Sequence, residues 1–168
     1  MKRFLFIITM LASFTAGAQQ TDSLKFTASE VTIDSLMVRL SSLERNYDYL
    51  YCDHELAKLT LELKDMANSI SITSNSLLIR CFNARYDREQ YNVYSGLYDA
   101  YVNSLEASKR KIEAIKIAVL AKVLASNFTE QELNVIASGF DLVDSTVATI
   151  ESALKQYNAV INIYSSMR

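Results

Sequence analysis

The sequence has no proline and no tryptophan, and only three glycines and one histidine in 168 residues. Ordinary chains carry about 5% Pro and about 7% Gly, and tight turns are built largely from those residues. A chain so poor in both lacks the turn chemistry that a β-sandwich, a barrel or a doubly wound α/β fold needs at each strand end. The single histidine narrows the chemistry as well. There is no Gly-x-Ser-x-Gly elbow and no Gly-rich phosphate loop. A di-iron bundle needs Glu-x-x-His on two helices, yet His54 has Tyr51 three residues before it. Haem attachment through Cys-x-x-Cys-His is absent. No catalytic residue, metal ligand or cofactor is therefore expected. His54, spaced like a seam residue from Leu50 and Leu61, reads as a core or surface-edge side chain. Basic charge is also short, with 17 Lys+Arg against 19 Asp+Glu, so nucleic acid is not an expected partner.

What the chain does have begins at its N-terminus. Met1-Lys2-Arg3, an apolar run from Phe4 to Phe14, and Ala16-Gly17-Ala18 make a charged region, a hydrophobic region too short for a bilayer span, and a small-residue cleavage site. The reading is a signal peptide over 1–18, cut between Ala18 and Gln19, with no cysteine following that would take a lipid anchor. The mature chain is then periplasmic or extracellular, without a membrane span. Residues 19–28 read as a short disordered leader, and 29–168 as a single helical domain.

The domain is legible from its heptads. Leu133, Ile136, Phe140, Val143, Val147, Ile150, Leu154, Tyr157, Ile161 and Tyr164 alternate spacings of three and four, the pattern of a helix seam. Thr129 with Glu132 makes a capping box, and Phe128 is placed to staple onto Leu133, so the chain turns at Asn127-Phe128. The preceding seam, Tyr91, Tyr94, Tyr98, Tyr101, Leu105, Ser108, Ile112, Ile115 and Val119, then pairs level by level with the last: Val119 with Ile136, Leu105 with Ile150, Tyr98 with Tyr157. Flanking charges follow, Lys111 opposite Asp144 and Arg168 opposite Asp87. In the first half, Tyr49, Cys52, Leu56, Leu59, Leu63 and Met66 mirror Ile70, Ser74, Leu77, Cys81 and Ala84 about a turn at Met66 to Asn68, which sets Cys52 beside Cys81, Arg80 beside Asp53 and Arg85 beside Asp48. The expected fold is an all-α, elongated antiparallel bundle of coiled-coil-like hairpins. It has three long helices, at about 29–65, 69–126 and 129–167, or four if the middle one breaks between Asp87 and Gly96.

Three features carry candidate function. Cys52 and Cys81, level with each other in an exported chain, are a candidate disulfide. Tyr91, Tyr94, Tyr98 and Tyr101 form a stripe that packs a core or a self-association face, or else lines a groove for a flat small-molecule ligand. Lys109, Arg110, Lys111, Lys116 and Lys122 form a basic cluster that reads as a solvated face, with Glu132, Asp141 and Asp144 available across the turn. In shape the pattern resembles periplasmic coiled-coil chaperones and the minor pilus components of secretion systems, but it departs from the chaperones in its acidity and in lacking a strand-like segment. The expectation is a non-enzymatic exported interaction or structural protein with a protein partner or self-association. The alternative is a ligand-binding or sensory bundle with a pocket among the tyrosines.

Overall fold

The computed structural model describes residues 23–83 and 86–168, with side chains from Thr32 onward. The expected leader over 1–18 lies outside the described residues. Three helices make up 94% of those residues, with no strand among them: α1, Ser23–Asn83; α2, Arg88–Ala125; and α3, Glu130–Ser166. Residues 23–28, expected to be disordered, belong to α1. The chain divides into two units, one ending at Leu43 and the other Glu44–Arg168, so the bundle starts later than the expected domain start at 29. In the first unit α1 exposes every side chain from Thr32 to Leu43.

The second unit is a three-helix bundle in up-down-up order. Thr73 pairs with Tyr101 and Arg80 with Tyr94, so α2 runs antiparallel to α1. Lys116 pairs with Asp144 and Lys109 with Glu151, so α3 runs antiparallel to α2. The expected seams are the core: Cys52, Leu56, Leu59, Leu63, Ile70 and Leu77 on α1; Tyr94, Leu105, Ile112 and Val119 on α2; Ile136, Val143, Ile150, Leu154, Tyr157, Ile161 and Tyr164 on α3. By length and composition alone α3 meets the requirement for a membrane span, with a window of mean hydropathy 1.2. In the bundle its apolar seam is spent on the other two helices.

The first turn is where structure and expectation part. No turn occurs at Met66 to Asn68, and no helix spans 69–126. Helix α1 runs unbroken through that stretch to Asn83, and α2 starts at Arg88, the Asp87 end of the expected alternative break. The start signal is Asp87, whose carboxylate accepts from the backbone N–H groups of Glu89 and Gln90, satisfying donors that a helix start leaves orphaned. Its own backbone N–H donates to the Tyr164 hydroxyl at 3.1 Å, which ties the end of α3 to this turn. The second turn is as expected. Thr129 and Glu132 close a reciprocal capping box. The Thr129 backbone N–H and hydroxyl hold the Glu132 carboxyl below its usual range. Phe128 sits edge-on to Tyr49 of α1, ring centroids 6.3 Å apart, while Leu133, its expected staple partner, is 39% exposed.

Helix α3 runs parallel to α1 and comes close to it at Gly139, where an added Cβ would lie 2.9 Å from Leu56 Cδ1 and 3.3 Å from Leu56 Cβ. Leu56 is buried and has little room to move. Gly139→Ala is therefore expected to lower stability by about 1–2 kcal/mol, overriding the gain that Ala ordinarily brings to a helix. Gly96 has open space around it, so Gly96→Ala is expected to raise stability by up to about 1 kcal/mol. Denaturant midpoints of the two variants should move in opposite directions.

Candidate interaction surface

The four tyrosines are brought together, but as packing. Tyr98 and Tyr101 meet the Tyr157 ring edge-on, with centroids 5.8 and 6.4 Å away, a favourable aromatic geometry. Tyr91 lies against Tyr86, which lies against Tyr164. Three hydroxyls in this cluster are partnered: Arg80 Nε donates to Tyr94 at 3.1 Å, Tyr101 and Thr73 hydrogen-bond at 3.1 Å, and Tyr157 donates to the Tyr94 carbonyl at 2.8 Å. Burial pushes the Tyr157 phenol up, so it remains neutral. Two surface grooves among the described residues are not lined by these rings. One, of about 510 Å³, runs between α1 and α3 past Ala67, Ser71, Ala148 and Ser152. The other, of about 340 Å³, lies between α2 and α3 over Ile112 and Val147.

The expected disulfide is not formed. Both cysteines are free and both lie on α1, about 44 Å apart at 1.5 Å per residue, far beyond the ~7 Å limit for a bridge. The arithmetic that paired them required the turn at Met66 to Asn68, which does not exist. Desolvation pushes both thiols up, the reverse of what a reactive cysteine needs. His54 is exposed, and no cluster of His, Cys, Asp or Glu suited to a metal occurs among the described residues.

Four of the five side chains of the basic cluster are paired, Arg110 being the exception among the described residues, and mostly with residues other than Glu132, Asp141 and Asp144. Lys109 pairs with Glu106 and Glu151, Lys111 with Glu62 rather than Asp144, and Lys116 with Asp144. Arg80 reaches Tyr94 rather than Asp53, and Asp48 takes Lys122, its expected partner Arg85 lying outside the described residues. Lys111 and Lys122 lie on the flank of α2 that faces α1, which the misplaced first turn had put elsewhere. Asp48 is the best-connected of these groups. It accepts from Lys122 on one oxygen and from the Ser126 hydroxyl at 2.7 Å on the other, fastening α1 to the end of α2. Lys122 also sits 4.8 Å from the centre of the Tyr51 ring.

The Lys122 and Ser126 hydrogen bonds lower the Asp48 carboxyl from its ordinary 3.8. A lowered folded value means stability that is present above pH 4 and lost as pH falls through it. Asp48→Asn is expected to cost about 1 kcal/mol at pH 7 and to flatten the loss of stability as pH falls below about 4, read from urea unfolding at each pH.

The remaining surface is the far side of α1. Its core seam in the bundle is Tyr49, Cys52, Leu56, Leu59 and Leu63. Two residues earlier each time stand Tyr47, Leu50, His54, Ala57 and Leu61, about 200° around the helix, and all five are exposed. In the first unit Ile33, Leu36, Leu40 and Leu43 hold the same spacing, again exposed. Leu43, Tyr47 and Leu50 are 64%, 68% and 62% accessible. A helix that is apolar on opposite sides is normally covered on both, and contiguous exposed apolar surface marks interaction sites. Against models of protein families, curated proteins and solved structures, this chain has no match.

Proposed function

We propose that this chain is an exported, non-enzymatic interaction protein of the cell envelope, working through the outer face of α1. The observation that carries the reading is the run of exposed apolar positions on the side of α1 away from its core seam. Export rests on the leader pattern of residues 1–18, and the interaction role on a surface that water covers at a cost of about 25 cal/mol per Å² of apolar area. The interior offers a binding reading less: tyrosine rings pack the middle of the bundle, and the hydroxyls of Tyr94, Tyr101 and Tyr157 are taken. The test is to express the whole chain in a bacterial host and fractionate it. The expected product is an envelope protein beginning at Gln19. A photo-crosslinking residue at Leu40 should capture a protein there, whereas the same residue at exposed Lys155 should capture none. Retention of the full chain in the cytosol, or no difference between the two positions, would overturn the proposal.

A further inference from the structure

We infer that the occupant of this face is a second copy of the same chain, its α1 lying parallel and in register with the first. The inference rests on the interaction reading above and commits it to one partner.

Written as a heptad, the stripe puts Ile33, Leu40, Tyr47, His54 and Leu61 at one seam position and Leu36, Leu43, Leu50 and Ala57 at the other. Leucine dominates the second position and a β-branched residue opens the first, a combination compatible with two-stranded parallel pairing. The single polar seam residue, His54, falls against its own counterpart only when the copies are in register, the device by which one polar seam position fixes register and strand number. In the bundle, the stripe is about 200° from the core seam, so pairing along it leaves the packing of α2 and α3 on α1 undisturbed.

Charge selects the orientation. In a parallel pair, the residue just before one seam position meets the residue five further along on the other copy. Those positions hold Arg39 with Glu44 and Asp53 with Lys58, all four exposed in the single chain. Both combinations are of opposite sign, and two-fold symmetry makes each twice. The antiparallel register that sets Leu40 against Leu50 gains Arg39 against Asp53, but it opposes Glu44 to Glu44.

Sedimentation equilibrium of the exported chain is expected to show a dimer at micromolar concentration. The double change Leu40→Asp with Leu43→Asp should raise its dissociation constant about 100-fold or more, with helical circular dichroism and the unfolding midpoint of the isolated chain unchanged, because both side chains are already in water. Arg39→Glu should weaken the dimer, and adding Glu44→Arg should restore it. Leu36→Cys should form an intermolecular disulfide under mild oxidation that the parent chain does not form. A chain monomeric to about 100 µM, a dimer indifferent to the aspartates, or a dimer in which L36C does not crosslink would each overturn the inference. If the chain is monomeric and the Leu40 crosslinker captures a different envelope protein, self-pairing falls and the interaction reading stands. If it is monomeric and nothing is captured, both fall.

Discussion

Tyr157→Ala is expected to lower the unfolding free energy by about 3–5 kcal/mol, a large share of the roughly 5–15 kcal/mol that holds a typical domain folded. Tyr157 has no accessible surface, and its ring faces Tyr98 and Tyr101 at the level where Tyr101 also reaches Thr73 on α1. All three helices therefore contribute to the walls of the space that alanine would leave. Collapse into that space is resisted on one side, since Tyr101 is fixed by its hydrogen bond to Thr73. Tyr157→Phe isolates the hydroxyl, whose bond to the Tyr94 carbonyl should account for about 1 kcal/mol. Because burial raises the phenol's pKa above its ordinary 10.0, its contribution is complete below pH 10 and declines as pH rises beyond it. Urea unfolding followed by circular dichroism measures both variants, and an alanine variant within about 1 kcal/mol of the parent would contradict the packing described.

A proline at Asn68 should cost about 3 kcal/mol or more. Asn68 is exposed well inside α1, so its side chain has little packing to lose and the effect is that of the backbone. Proline removes the N–H that would bond four residues back and collides with the carbonyl of Lys64. Asn68→Ala is the control, expected to be neutral or slightly stabilising because alanine is the better helix former. Were Met66 to Asn68 a turn, proline there would be tolerated and the two variants would have similar midpoints.

That contrast marks what could be read from the sequence and what could not. The helices and their buried faces follow from apolar spacing alone: each seam residue of α3 from Ile136 to Tyr164 is buried or half-buried. The second turn was legible because a chemical signal, Thr129 with Glu132, sits beside the hairpin arithmetic. The first turn had arithmetic only. A seam that alternates three and four is its own mirror image, so Tyr49 to Met66 and Ile70 to Cys81 can be reflected about the point between them even though they are one stripe of one helix. Pairings across an antiparallel hairpin cannot reveal the error, since every level agrees once any level does. Asp87 with Gln90 three residues later is a start signal of the same kind as Thr129 with Glu132, and it was the feature that could have placed the turn. The outer stripe of α1 was partly visible in the spacing of Leu50, His54 and Leu61. The same spacing continues back to Leu43, Leu40, Leu36 and Ile33, where no competing core seam obscures it.

The placement of the two thiols along α1 gives the molecule an internal clock. Cys52 is fully covered while Cys81 is half-exposed, and their separation on one helix forbids an internal bridge at any stage that keeps the helix intact. A thiol reagent must therefore reach Cys81 by diffusion but reach Cys52 through a transient separation of the helices over it. The ratio of the two modification rates reports the free energy of that opening. It does so at a site fastened by Asp48, Lys122 and Ser126, without any engineered probe.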